Sequence, residues 1–425
     1  MSASPETGLL LEHLFRHQAG RMVAHFTRLF GPSNLDLAEE TVQEAMLRAL
    51  QTWPYQGVPE NAAAWLFRVG HNAAIDAVRR KQLLGEKTEA MVAELSRSAI
   101  VLPGDPDVEE QLRDDELRMI FMCCHPEISR DASVALSLKT VGGFGVREIA
   151  RAFLADDTAI AQRLVRAKRL IRTQRLTLEM PQGPELKRRL DSVLDVIYFM
   201  FNEGYAAHEG ADLIRQDLCL EALRLGHLVA ASSIAEPRVH ALVALMALQA
   251  ARLAARVDQA GDLVLLESQD RSRWDPQLTA VGFHHFNQSM SGDEVSEFHV
   301  QAAIAATHAR AANSQDTDWP VILNLYDQLL SLNPSPVVAL NRAVAVSKVY
   351  GAAQGLAAIE PLESESKLRD YYLFLAVRGH LLMELGRLPE AAVALRAAIE
   401  CPCSEPERRF LKRKLDSCQT EPQDQ

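Results

Sequence analysis

Between Val146 and Arg175 the chain carries side chains suited to nucleic acid at helical spacing: VREIARAFL, then ADD, then TAIAQRLVRAKRLIRTQR. Arg163, Arg166, Lys168, Arg169, Arg172 and Arg175 fall between Thr158 and Glu179 with no acidic residue among them. At about 100° per residue, Ile160, Leu164, Ala167 and Ile171 share one face, and Thr158, Gln162, Arg166 and Arg169 project from the opposite one. Gln and Arg on such a face can bond base edges, and Lys and Arg can neutralise phosphates, as in the second helix of a helix-turn-helix. Asp156 and Asp157 stand at its start, where they can cap the helix and complement its dipole. A solvated surface helix would show the same charge run. It would not also show a short preceding helix, a three-residue turn and a seated face.

A second group lies upstream, in AAAWLFRVGHNAAIDAVRRKQ. Trp65, Leu66, Val69 and Ala73 form its apolar side, while Arg68, Asn72, Asp76 and Arg79 recur on one face, with Arg80 and Lys81 close by. Asn can bond an extruded base, and Arg can hold phosphate or stack on a base. Asp76 would repel phosphate, so its expected task is to orient Arg79 or Arg80. The helix before it, DLAEETVQEAMLRALQTW, places Leu37, Thr41, Met46, Leu47 and Leu50 as apolar contacts. Asp36, Glu39, Glu40, Gln43, Glu44 and Arg48 leave its exposed side mainly acidic. That is a poor surface for DNA and a natural one for protein.

The elements that must hold these groups are helical throughout, and no segment sustains strand alternation. A first amphipathic helix over 7–30 closes at Gly31-Pro32, and Pro54 ends the second. Periodicity fades from about Leu83 to Gln111, where Glu86, Glu89, Glu94, Asp105, Asp107, Glu109 and Glu110 gather with Pro103-Gly104 and Pro106, the mark of an acidic linker. Arg113 to about Arg175 reads as a compact helical module, and Pro181-Gly183-Pro184 as a boundary. The predicted division is 1–82, a linker over 83–112, a module over 113–176, and a helical extension over 185–418.

Three of these segments, in this order and with this linker, resemble a bacterial sigma factor of the extracytoplasmic-function class. DLAEETVQEAMLRAL is similar to the helix by which region two grips the clamp of core RNA polymerase, and AAAWLFRVGHNAAIDAVRR to the helix that opens and reads the minus-ten element. Val141 to Arg172 resembles region four, which reads the minus-thirty-five element. The resemblance implies core polymerase contacts at Asp36, Glu39, Glu40, Gln43 and Glu44, with the clamp and flap as partners. It implies minus-ten contacts at Asn61, Arg68, Asn72, Arg79 and Arg80, with the Gln56–Asn61 loop in the pocket for a flipped base. Minus-thirty-five contacts fall to Thr158, Gln162, Arg163, Arg166, Lys168 and Arg169. Ala159 and Ala161 stand where many relatives have Thr and Lys, and His71 replaces a small residue, so the promoter sequence does not carry over.

From Glu185 onward the chain is rich in Ala and Leu at helical-hairpin spacing. In LLMELGRLPEAAVALRAAIECP, Leu382, Gly386, Leu388, Ala391, Leu395, Ala398 and Pro402 resemble the second part of a tetratricopeptide repeat. Gly351 lies one repeat length before Gly386, and a preceding hairpin turns at Asn333-Pro334. One hairpin cannot bury its own apolar face, so stacking is required. The whole is similar to the sigma subgroup with a large tetratricopeptide-like C-terminal extension. Two polar clusters mark that extension: Asn202, Glu203, Tyr205 and His208, then Asp270, Arg271, Arg273 and Trp274. They form either a surface or pocket that docks the sigma domains or hydrogen-bonded loops between helices. His208, His284 and His285 are expected to be satisfied or solvated rather than metal ligands.

Composition bounds these readings. The net charge is −11 over 425 residues, but residues 1–180 hold 22 Lys and Arg against 24 Asp and Glu, while the remainder holds 23 against 32. A front half of net −2 and a back half of net −9 fit a DNA-binding part beside an acidic extension that packs on it, since phosphate contacts dominate DNA affinity. Six irregularly spaced Cys point to a reducing compartment, and neither Cys123-Cys124-His125 nor Cys401-x-Cys403 has a second pair at zinc-finger spacing. No apolar run was expected to span a bilayer, and no signal-peptide pattern opens the chain. No nucleophile-base pair or phosphate-binding glycine loop supports an enzyme. The expectation is an all-α, cytoplasmic sigma factor without metal or cofactor, partnered by core polymerase and promoter DNA. The alternatives are a helix-turn-helix activator with a tetratricopeptide sensor domain and a peptide-binding scaffold.

Overall fold

The computed structural model describes residues 5–83, 91–92, 95, 103–153, 155–205, 214–365 and 368–419. No strand occurs among them, and most of them are helical. The backbone gathers into two compact units, Met1–Phe199 and Met200–Gln425.

Unit 1 begins with α1 (Pro5–Phe30), α2 (Leu35–Gln56) and α3 (Ala62–Leu83). Gly31 and Gly57, at φ +81° and +82°, supply the left-handed turns at which α1 and α2 stop. Trp53 at the end of α2 is buried with its ring 5.4 Å from both Phe15 and Trp65, tying the three helices together. Then come α4 (Pro106–Cys123), α5 (Arg130–Thr140), α6 (Val146–Ala152) and α7 (Asp157–Thr173). Asp105 caps α4 by accepting from the Asp107 amide at 3.0 Å, so helix starts inside the stretch read as linker. Most of the remaining linker, with Glu86, Glu89 and Glu94, lies outside the described residues.

The helices on either side of that stretch pack together. His25 and Arg28 of α1 meet Asp115 of α4 at 3.1 and 2.9 Å, with Asp115 almost fully buried. Arg16 pairs with Glu148 of α6 at 2.7 Å and lies 4.5 Å over the Phe144 ring. Two glycines permit the approach. A Cβ on Gly20 would stand 1.8 Å from the Val141 carbonyl oxygen, and one on Gly143 would stand 2.4 Å from that of Arg16. The helix α8 (Gly183–Tyr205) contains the division between units. Its first part belongs to unit 1, where Arg189 donates to the Phe121 carbonyl at 2.5 Å and Phe199 stacks on Phe153. Pro184 at its start thus opens a helix.

Unit 2 continues with α9 (Gln216–Ala230), α10 (Pro237–Ala250), α11 (Pro276–Ser289), α12 (Glu297–Arg310), α13 (Trp319–Leu332), α14 (Pro336–Tyr350), α15 (Ala352–Ile359), α16 (Tyr372–Glu384), α17 (Leu388–Glu400) and α18 (Glu405–Gln419). Starts follow sequence signals. Asp275, Asp318 and Ser335 cap α11, α13 and α14, each followed within two residues by proline. From α12 to α18 each helix packs on the next, and the core clusters succeed one another along the chain, from Val300 and Ile322 through Leu340 and Phe374 to Leu395 and Leu411. Pro237–Ala255 is long and apolar enough to cross a membrane, contrary to the expectation that no run would be. It is 72% buried in the structure, the mark of a core helix.

Candidate nucleic-acid interface

The seat of α7 is the face given by its periodicity: Ile160, Leu164, Ala167 and Ile171 are buried. They pack against α5 and α6, leaving Thr158, Gln162, Arg166 and Arg169 exposed in a row. Val165, 62% exposed, stands among them, an apolar side chain that no polar pattern in the sequence marks. Its methyls suit a thymine methyl group in a major groove. Asp156 occupies the N-cap position without a capping side-chain bond, and Asp157 reaches Arg147 at 3.5 Å. Arg163 is half-buried, 4.0 Å from Asp131.

Lys168 does not share the open face. Its ammonium donates to Asp36 at 2.8 Å and Glu39 at 2.9 Å on α2, and Arg172 reaches Asp36 at 3.4 Å. The Lys168 and Glu39 side chains are 13% and 12% exposed. Burial opposes the charge on Lys168, but Glu39 and Asp36 outweigh it and raise its pKa above the ordinary range. The structure therefore joins two groups that the resemblance assigns to different partners: a cation of α7, expected to meet DNA, and carboxylates of α2, expected to meet the polymerase.

The rest of the α2 surface is open. Glu40, Gln43 and Glu44 are exposed, with Glu44 bonded to Arg48 at 2.8 Å. Leu47 and Leu50, expected as apolar contacts, are 53% and 55% exposed. The buried stripe is made instead of Leu37, Ala38, Thr41, Val42, Ala45, Ala49 and Trp53, so the small residues carry the packing and the two leucines stand in solvent.

On α3, Arg68, Asn72, Asp76, Arg79 and Arg80 are all exposed, over a core of Leu66, Phe67, Ala73, Ala74 and Val78. Asp76 stands exposed among them, with no ion pair to Arg79 or Arg80 among the described residues. Asn61 caps α3: its Oδ1 accepts from the Ala64 amide at 2.9 Å and its Nδ2 donates to the Pro103 carbonyl at 3.0 Å. His71 is buried beside His25, and burial, then His25, lowers its pKa.

Unit 2 places the two polar clusters in structural roles. Tyr205 stacks on Phe201 and carries the Arg256 guanidinium 3.9 Å above its ring; Asn202 and Glu203 are half-buried, and His208 lies outside the described residues. Asp270 caps a short 3-10 turn, Arg271 lies 4.9 Å over Trp274 and donates to the carbonyls of His308 and Ala311 at 2.5 Å each. His284 and His285 belong to a four-histidine contact, with His240 Nδ1 2.9 Å from His285 Nδ1 and the His227 ring 4.9 Å away. Burial, then His227, His240 and His284, pushes His285 down to about 4. Cys123 is fully buried, and burial pushes its thiol up to about 12, an inert core sulfur. No group of three or more potential ligands could hold a metal among the described residues.

Comparison with known proteins matches these elements. Residues 15–83, which hold most of α1 and all of α2 and α3, match sigma-70 region 2. Residues 189–290 match a family of unknown function, DUF6596. The "Uncharacterized protein R00370" of Rhizobium meliloti (strain 1021) is 41% identical over 390 residues, 92% of each chain. No solved structure matches. The first three helices thus carry a sigma-70 region 2, the part of sigma-70 factors that binds core RNA polymerase and promoter DNA, and over nearly its whole length the chain belongs to one family with the Rhizobium meliloti protein.

Proposed function

We propose that this chain is a sigma factor of the extracytoplasmic-function class that directs core RNA polymerase to a specific promoter set in the cytoplasm. The observation that carries the reading is the pair of open faces on α7 and α3 in one chain, each seated on a buried apolar stripe. Thr158, Gln162, Arg166 and Arg169, with Val165, read the minus-thirty-five element; Arg163 and, once released from α2, Lys168 hold its phosphates. Arg68, Asn72, Arg79 and Arg80 engage the minus-ten strand, and Asn61 fixes the loop that receives the flipped base. Glu40, Gln43 and Glu44, with Leu47 and Leu50 beside them, face the clamp, while Asp36 and Glu39 join that surface when they part from Lys168. The module over 113–176 meets the flap. Hairpins α13 to α18 form a tetratricopeptide-like extension that regulates or supports this activity.

Run-off transcription with purified core polymerase tests the reading. Addition of the chain should produce a defined start on a promoter selected from random sequence, and Asn72→Ala with Arg79→Ala should abolish it. Core enzyme that gains no promoter-dependent transcript with any selected sequence would overturn the proposal.

A further inference from the structure

Within unit 2 lies a cavity of about 450 Å³. Side chains of α13, α14, α16 and α18 wall it, and the irregular segment from Leu263 to Arg271 closes one side. This volume suits an organic ligand and far exceeds that of a trapped water. The closing segment is pinned along its length. Asp262 receives Arg409 and Arg413 of α18, Glu267 accepts from Lys348 of α14 at 2.8 Å, and Arg271 grips the end of α12. The walls therefore stand in place before anything binds, which limits the ordering cost of binding.

The lining sorts by chemistry. Leu265, Trp319, Tyr326, Val344, Val377 and Phe410 give it an apolar body. Its carboxylates are already engaged. Glu407 accepts from the Tyr372 hydroxyl and from the Ser404 amide and hydroxyl at 2.8 and 2.7 Å, and Glu267 holds Lys348. One cation is left over. Lys414 has no carboxylate at ion-pair distance among the described residues, and its ammonium lies 5.8 Å over the Phe410 ring. Burial holds the two lining imidazoles, His308 and His380, below the usual range, so they stay uncharged near neutrality. Glu407 uses its acceptor positions on Tyr372 and Ser404, so at this end of the cavity Lys414 is the charged group left open to an incoming head group.

We propose that the cavity binds an amphipathic organic anion, a carboxylate or sulfonate with an apolar body, whose head group pairs with Lys414. The apolar lining takes the body by burial, and the charge-assisted bond from Lys414 orients it. A cation of the same body would meet the Lys414 ammonium while the acceptor positions of Glu267 and Glu407 are already taken, so the site favours an anion. The site does not depend on the transcription reading, because it is measured by binding alone.

Anilinonaphthalene sulfonate, a fluorescent anion of this class, tests the proposal on the full chain. Its fluorescence should rise saturably with one site per chain. Lys414→Gln should weaken binding about ten-fold, the effect of one charge-assisted contact, and Val344→Trp should abolish it by filling the space. Val393→Ser, at an exposed apolar position outside the cavity, should leave it unchanged. Dodecanoate should displace the probe, and dodecyltrimethylammonium should not. Circular dichroism melts identify any variant that fails to fold, and Lys414→Gln, at a half-exposed position, keeps the decision independent of Val344→Trp. Equal affinity in wild type and Lys414→Gln would overturn the proposal. So would displacement by the cationic amphiphile as readily as by dodecanoate, or displacement by peptides alone.

Discussion

Replacing Asp36 by Asn and Glu39 by Gln together should make the full chain bind a minus-thirty-five duplex more tightly and with a steeper salt dependence. In the structure the Lys168 ammonium lies within 2.9 Å of both carboxylates, and Arg172 lies 3.4 Å from Asp36. The two carboxylates take two of its three N–H donors and neutralise its charge, so a phosphate oxygen brought to it would meet their repulsion. The Arg172–Asp36 pair is about half exposed and contributes well under ~1 kcal/mol. The Lys168–Glu39 pair contributes more, because separation would leave either group buried without a counter-charge. Opening the cluster to admit DNA therefore costs about 1–2 kcal/mol in all. Neutral amides remove most of that opposition, so affinity should rise roughly ten-fold. Two cations also become available to the backbone, which steepens the slope of log affinity against log salt by about two. Fluorescence anisotropy with a labelled duplex, titrated between about 50 and 200 mM salt, reads both quantities. An unchanged affinity and slope would refute the argument, since they would mean that Lys168 and Arg172 are not withheld from DNA by α2.

Other consequences follow from the exposed rows and the buried imidazoles. Arg166→Ala and Arg169→Ala, both at open positions, should each reduce the salt slope by about one if they touch phosphate, or relax specificity at one base pair if they touch an edge; anisotropy on point-mutated duplexes separates the two. Reversing Glu40 and Glu44 to Lys should abolish co-purification with core polymerase while circular dichroism stays unchanged. A chain ending at Gln182 should melt lower than one ending at Tyr205, because it loses the Arg189 bond to Phe121 and the Phe199–Phe153 stack. Acid should weaken unit 2: His285 and His308 fall from 6.5 to about 4 in the fold, so the unfolded chain binds more protons between those values. Their contribution is complete above about pH 6.5 and lost towards pH 4, giving a melting temperature lower by roughly 5 °C at the acid end. His285→Phe should flatten that loss.

The parts of this fold that can be read along the chain are those set by local periodicity. Ile160, Leu164, Ala167 and Ile171 lie on one face because α-helical geometry alone puts them there, and the exposed row opposite follows from the same angle. Leu47 and Leu50 were misjudged because residue size was allowed to outvote spacing; Ala38, Ala45 and Ala49 mark the true stripe, and their small side chains made it faint. Pro181, Gly183 and Pro184 suggest a boundary between domains, and Pro184 also opens the helix within which the compact units divide, at Phe199. The residues that open a helix and those that end a domain are the same types, and only packing separates them. Contacts between distant segments left no local signal. Lys168 and Glu39 are separated by 129 positions, and nothing near either residue names the other. The four-histidine contact gathers residues from α9, α10 and α11, so His284 and His285 alone could not announce it.

Where α1 crosses the turn after α5, the two helical modules of unit 1 are separated by little more than the hydrogens of Gly20. A single methyl there would collide with the Val141 carbonyl at 1.8 Å, and backbone cannot swing aside as a long side chain would. Gly20→Ala is accordingly a wedge of atomic thickness at a buried position of α1, on neither the exposed row of α7 nor the acidic side of α2. Its effect has a sign that no contact map supplies. If the interlocked arrangement is the storage form of the protein, the wedge unlatches it and promoter occupancy rises; if it is the working form, the same methyl silences transcription. One carbon atom, placed at a buried backbone contact, thus distinguishes a latch from a hinge.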